Sequence, residues 1–182
     1  NLKNGGVVGD PYSYFFSNHN MTWGWATWRR AWKFYDFEMK LYRTIRDSSP
    51  FKTCFASNDE FEFFRTIFDR TVANMDDLSW WDYQWEFPRR INSGLTIVPK
   101  KNLVINLGIG SDATHTTDPH GAGSDLKFER LTFTLTHPDF IVADKIRHDV
   151  FFNHTLTTGL SRTKTRIKKV VPQFIMDLRG NV

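Results

Sequence analysis

The sequence predicts an α/β fold, assembled from short strands and amphipathic helices, on three observations. Ser57-Asn-Asp-Glu60 matches a helix-opening capping box, and Phe61, Phe64, Ile67, Phe68 and Val72 follow it on one helical face. Leu95-Thr-Ile-Val98 and Leu103-Val-Ile-Asn106 are β-branched runs divided by Pro99-Lys100-Lys101-Asn102, the pattern of a strand pair. Leu131-Thr-Phe-Thr-Leu-Thr136 alternates apolar and polar residues, as a half-buried strand does.

Taken in order, Tyr12 to Ser17 is aromatic, alternates weakly and reads as a short strand, with Asn18-His19-Asn20 as its turn. A helix is expected from about Thr27, whose hydroxyl can cap it; it carries Trp28, Trp32 and Tyr35, with Trp28 and Trp32 buried. Asp47 to Pro50 breaks the chain, and the capping box then opens the helix from Asn58 to Asn74. Ser79-Trp-Trp-Asp82 is a second such opening, toward Phe87. Pro88 is a kink or an end, and Asn92-Ser93-Gly94 a glycine-terminated stop. After the strand pair, residues 108–125 form a long loop rich in Gly, Asp, Thr and His. His137-Pro138 ends the last strand, and a helix from Ala143 to Thr157 precedes a basic tail. No repeat or linker divides the chain, so one domain is expected over 1–158 and a tail over 159–182.

Composition narrows the function classes. No run of apolar residues is long enough for a membrane helix, and no signal peptide leads the chain. The single cysteine, Cys54, excludes an internal disulfide framework and fits a reducing, cytoplasmic setting. The net charge is +4, and Arg162-Thr-Lys164-Thr-Arg166-Ile-Lys168-Lys169 concentrates five cations in eight residues. Such a run is either a solvated terminus or a contact for anionic lipid headgroups; no nucleic-acid partner is expected. The start at Asn1, followed by Gly- and Asn-rich sequence, reads as a fragment lacking its upstream part.

All seven tryptophans fall in two clusters, Trp23, Trp25, Trp28 and Trp32, then Trp80, Trp81 and Trp85. Indole is large, apolar and carries one N–H, which suits either a Trp-rich core or the walls of a sugar site. Asp82 lies inside the second cluster. As the last residue of a capping box it can simply cap its helix; it can also be a carboxylate kept ionised by the helix dipole, beside an apolar wall, able to take a proton from a bound hydroxyl. Gly108-Ile-Gly110-Ser-Asp-Ala113 satisfies a dinucleotide fingerprint on paper, but no helix can open after it, so that reading is rejected. Asp112, His115, Asp118 and His120 on the same loop are of the types that bind Mn, Zn or Fe, without a strong zinc spacing. Arg89-Arg90 and Lys100-Lys101 could face phosphate, although paired bases in turns are usually solvated. Cys54 has no activating neighbours in sequence.

Five blocks carry a resemblance: Trp23-Gly-Trp-Ala-Thr-Trp-Arg-Arg-Ala-Trp32, Trp81-Asp-Tyr-Gln-Trp85, Gly94-Leu-x-x-Val-Pro99, Asn102-Leu-Val-x-Asn106 and Gly110-x-Asp-Ala-Thr-His-Thr116. In this order, over about Tyr12 to Asp149, they resemble the C-terminal half of bacterial nucleotide-diphospho-sugar glycosyltransferases of the HlpA-like group. That group is distantly similar to N-acetylglucosaminyltransferase I. The resemblance implies the C-terminal part of a GT-A fold, a short mixed sheet flanked by helices, with the N-terminal nucleotide-binding half missing. It implies a nucleotide-sugar donor, a glycan or lipid-linked acceptor, and a divalent Mn or Mg ion on the donor diphosphate. The acidic motif that holds this metal is not matched; Asp76-Asp77 lacks the apolar strand that should precede it.

By resemblance, Asp82 is the base of an inverting transfer and His115 completes the metal shell. Trp23, Gly24, Trp25, Trp81 and Trp85 line the cleft, and bacterial polysaccharide biosynthesis is the implied setting. Two alternatives use the same residues without the resemblance. One is a non-catalytic carbohydrate-binding module built on the tryptophans, and the other a metal-dependent hydrolase using Asp112, His115 and His120.

Overall fold

A computed structural model describes residues 11–77, 81–105, 107 and 127–153. These residues form a mixed α/β structure with a two-stranded sheet and six α-helices among them. Strand β1 (Tyr14–Ser17) runs antiparallel to β2 (Thr96–Pro99), with Tyr14 opposite Pro99 and Ser17 opposite Thr96. Pro99 has no N–H to give a ladder and sits at its end. On the other edge of β1, Ala143 makes a parallel bridge to Phe16, and the Asp144 N–H donates to the Phe16 carbonyl at 2.8 Å.

The partner of Thr96–Pro99 is therefore β1, sequence-distant, and the described part of the expected partner run, residues 103–105, forms no strand. Asn102 explains the difference. Its Nδ2 donates to the carbonyls of Val104 (2.9 Å) and Lys127 (3.2 Å), and its own carbonyl accepts from the Glu129 N–H at 2.8 Å. An asparagine side chain bonding nearby backbone in this way offers the chain an alternative to a ladder. The run Leu131 to Thr136 also fails to form a strand. Its end is tied, where Ser13 and Thr136 exchange hydrogen bonds of 2.8 and 2.9 Å. Phe133, which the alternation would bury, is 80% exposed.

Helix α1 (Arg29–Trp32) is a single turn that starts after Trp28 and has no side-chain cap, so Thr27 does not open it. Helices α2 (Lys40–Ile45) and α3 (Ser49–Lys52) follow; α3 is capped by Ser48, whose hydroxyl accepts from the Phe51 N–H. Helix α4 (Asn58–Ala73) matches the sequence expectation. The Ser57 hydroxyl accepts from the Glu60 N–H at 3.1 Å, and Glu60 Oε2 returns to the Ala56 N–H at 2.7 Å, one residue before the usual partner. A short 3-10 turn (Met75–Asp77) follows it.

Helix α5 (Asp82–Ile91) continues through Pro88. The ring removes one N–H from the ladder, while the Pro88 carbonyl accepts from both the N–H (3.2 Å) and Nδ2 (2.8 Å) of Asn92. The helix ends in a Schellman motif, with Gly94 N–H on the Arg89 carbonyl (2.8 Å) and Ser93 N–H on that of Arg90 (3.0 Å). The left-handed residue is Ser93, at φ 53°, rather than the glycine after it. Gly94 serves a different need: a Cβ there would lie 3.0 Å from Arg89 Cγ and 3.1 Å from its carbonyl oxygen. Helix α6 (Lys145–Phe151) is capped by Asp144 and docks on β1.

The core is phenylalanine. Phe51, Phe61, Phe64, Phe68 and Phe87 are buried with Met39 and Tyr42 between α2, α3, α4 and α5. Most ring pairs meet edge to face, such as Tyr42–Phe87 at 5.4 Å and 80°. Each buried ring contributes about 1.5–3 kcal/mol by leaving water, with a further 0.5–1.5 kcal/mol or so for such a pair. Among the described tryptophans only Trp85 is buried; Trp28 and Trp32 are 53% and 39% exposed, against expectation. The α1 turn is too short to carry them into the core, which phenylalanines already fill. No described helix is long and apolar enough to cross a membrane.

Candidate functional site: an aromatic groove on a buried charge network

A groove of about 680 Å³ opens beside the sheet. One side is the segment from Asn20 to Trp28; the other is Gly94 to Pro99 together with Asn102 to Val104, and Trp85 and Arg89 of α5 stand between. Gly24 makes this approach of chains possible. Its φ is +62°, and a Cβ there would come within 2.5 Å of Val104 Cγ2. The exposed indoles of Trp23 and Trp28 stand on the groove wall, where a Trp-rich core would have hidden them.

The two tryptophan clusters meet directly. Trp25 stacks on Trp81 at 4.9 Å and lies 6.0 Å from Trp85, while Trp32 lies 5.2 Å from Trp85 and stacks on Tyr35 at 4.5 Å. Of the expected site residues, Trp23, Gly24, Trp25 and Trp85 line the groove. Trp81 and Asp82 are not in its lining: Trp81 packs against Trp25, and Asp82 follows it as the first residue of α5. The Asp82 Oδ1 accepts from the Tyr83 N–H at 3.1 Å. Burial raises the Tyr83 hydroxyl pKa, and the charges of Asp82 and Glu86 add to it. Gln84, from the same block, is fully buried; it donates to the Phe37 carbonyl (2.7 Å) and accepts from the Tyr35 hydroxyl (3.1 Å), pinning the turn after α1. His115, Asp112, Asp118, His120, Trp80 and the basic tail lie outside the described residues.

Beneath the groove is a buried ionic network that the sequence reading missed. Arg89 and Arg90 are not turn residues facing solvent or phosphate; both are buried on α5. Arg90 pairs with Glu60 (2.8 Å) and Glu86 (2.6 Å), and its guanidinium lies 4.0 Å from the Phe64 ring centroid. Arg89 also pairs with Glu86 (2.7 Å). It donates to the carbonyls of Gly94 (2.5 Å), which lines the groove, and of Asn18, two residues before the lining segment begins. The available signal was Glu86 three and four residues before two arginines, a spacing that pairs charges on one helix.

His19, from the turn after β1, stacks on His148 of α6 at 4.4 Å and 18°, with its Nδ1 3.4 Å from Arg90. His148 Nε2 lies 3.3 Å from Glu60. Burial drives the His19 imidazole down from 6.5 to about 2, and His148, Arg90 and Arg89 push the same way against Glu60. For Glu60 burial alone would raise the carboxyl; bonds and charge from His148, Arg90 and the Ala56 N–H overrule it and hold it at about 2.

The ligand atoms of His19, Glu60 and His148 lie within 4.8 Å of one another, the one such group among the described residues. They do not fit the Mn or Mg implied above. An imidazole lone pair lies in the ring plane, and two near-parallel stacked planes do not converge on one ion. Glu60 already holds Arg90 as its counter-ion, and both metals prefer oxygen-rich ligand sets.

Comparison with family models, with curated proteins and with solved structures finds no match to this chain.

Proposed function

We propose that the chain is the acceptor-side part of a GT-A glycosyltransferase, which transfers a sugar from a nucleotide-sugar donor to a hydroxyl of a glycan or lipid-linked acceptor. One observation carries this reading: four of the five motif blocks, separated by up to about eighty residues of sequence, have members on or against a single aromatic groove. Exposed indole faces suit the apolar faces of pyranose rings, and a groove of this volume is in the range of small-ligand sites.

In this reading the acceptor lies along Trp23 and Trp25, with the buried Trp85 supporting them. Asp82, the first residue of α5, lies outside the groove lining next to Trp81, so the reacting hydroxyl has to reach past the Trp25–Trp81 stack for Asp82 to take its proton. Attack from the face opposite the leaving diphosphate inverts the anomeric centre. A Mn or Mg ion completed by His115 would neutralise the charge on that leaving group. The cytoplasmic setting and the contact of the basic tail with a membrane surface belong to the same proposal.

The test is transfer of labelled sugar from a panel of nucleotide sugars to glycan acceptors by the full-length polypeptide that includes the nucleotide-binding half, since this chain alone is expected to be inactive. Base catalysis is worth roughly 10²–10⁴-fold, so Asp82→Asn should lower kcat by that factor with little change in acceptor KM. Absence of transfer from every donor overturns the reading; turnover within a few-fold of wild type removes Asp82 from it.

A further inference from the structure

The chemistry lining the groove says which sugars it can hold. Among the described residues no aspartate or glutamate lines it, and the cations that do are Arg89 and Lys101. Both are spent. The Arg89 guanidinium is committed to Glu86 through Nε (3.2 Å) and Nη2 (2.7 Å), and to the Gly94 and Asn18 carbonyls through its terminal nitrogens. Lys101 Nζ sits 2.7 Å from Glu129. An anion in the groove would have to draw Arg89 from its buried pair or compete with Glu129 for Lys101.

Hydroxyls meet no such barrier. Asn20, Thr22 and Thr27 line the groove beside the indoles as neutral polar side chains. Apolar faces for pyranose rings, neutral polar groups for their hydroxyls and no spare charge form one consistent set.

We propose that the groove binds uncharged pyranose units and discriminates against sugars bearing carboxylate or phosphate. The proposal rests on the acceptor-side reading and narrows its substrate class. It also separates this groove from the donor diphosphate, which needs cations that the groove does not offer. Arg89 and Glu86 then serve as positioning residues, tying the groove lining at Gly94 to Asn18 while cancelling each other's charge.

The experiment is a tryptophan-fluorescence titration of this chain, at low and high salt. The probes are methyl β-glucoside, cellobiose, maltose and chitobiose, then methyl β-glucuronide and UDP. At least one neutral sugar should saturate the signal with an affinity that does not change with salt, and Trp23→Ala should abolish it. Methyl β-glucuronide should bind at least tenfold more weakly than methyl β-glucoside, and UDP should not compete. A glucuronide or UDP that binds as tightly as the neutral sugars overturns the proposed selectivity and leaves the acceptor-side reading standing. If no sugar of either charge binds, the acceptor-side reading of the groove fails and the selectivity falls with it.

Discussion

His19 makes a quantitative demand on how stability varies with pH. Its imidazole is 1% exposed, faces Arg89 and Arg90 of α5, His148 of α6 and Glu60 of α4, and is held neutral down to about pH 2. In the unfolded chain the same group takes a proton near 6.5. The folded-state value is the lower one, so the unfolded state binds the extra proton as pH falls. Stability is therefore fully present above 6.5 and declines as pH drops below it. At about 1.4 kcal/mol per pH unit, bringing the pH from about 7 to about 4.5 removes roughly 3 kcal/mol. That is a large share of the roughly 5–15 kcal/mol by which domains are usually stable.

Glu60 extends the decline. Its carboxyl is depressed from 4.5 to about 2, so its contribution is present above 4.5 and is lost as pH falls toward 2. The assay is urea unfolding at a series of pH values, for wild type and for His19→Gln, comparing slopes of stability against pH rather than absolute values. The substitution lowers stability near neutrality by disturbing the stack on His148 and Phe151, but its slope between about pH 6.5 and 4.5 should be flatter by about 1.4 kcal/mol per unit. A wild-type slope of zero in that window, or a variant slope equal to wild type, would refute a neutral His19.

Further outcomes concern the charge network and the groove wall. Arg90→Met leaves the Glu60 and Glu86 carboxylates buried without their shared cation, and should cost about 3–5 kcal/mol in urea unfolding. Pairing Arg90→Met with Glu60→Gln should recover part of that loss. Gly24→Ala places a Cβ against Val104 in a left-handed conformation, so about 1–2 kcal/mol is expected from the backbone alone, with more from the contact. Its fluorescence should shift as Trp23 and Trp25 move, whereas an unchanged stability and spectrum would show that residues 102–104 do not close on Gly24.

Some of this was legible before any coordinates. Helix α4 follows from Ser57, Glu60 and the phenylalanine spacing, because a capped amphipathic helix is specified within one short window. The strand at Tyr14–Ser17 and the run at Thr96–Pro99 were also visible as strands, but not as partners of each other. Pairing between segments some eighty residues apart has no local signature. The neighbouring run at 103–106 matches a strand equally well until Asn102 is seen bonding Val104 and Lys127.

By itself, the sequence determined the mixed α/β character, the amphipathic α4, the end of α5 at residues 92–94, and the concentration of indole and glycine in a few ordered blocks. These depend on propensity, periodicity and capping, all short-range. Tertiary structure alone decided that the core is phenylalanine while the tryptophans stack over one another beside a groove. It alone also brought Arg90 between Glu60 and Glu86 and took His19 out of water. Burial and charge pairing depend on which surfaces meet, and a guanidinium is as soluble on an isolated helix as it is satisfied inside this one.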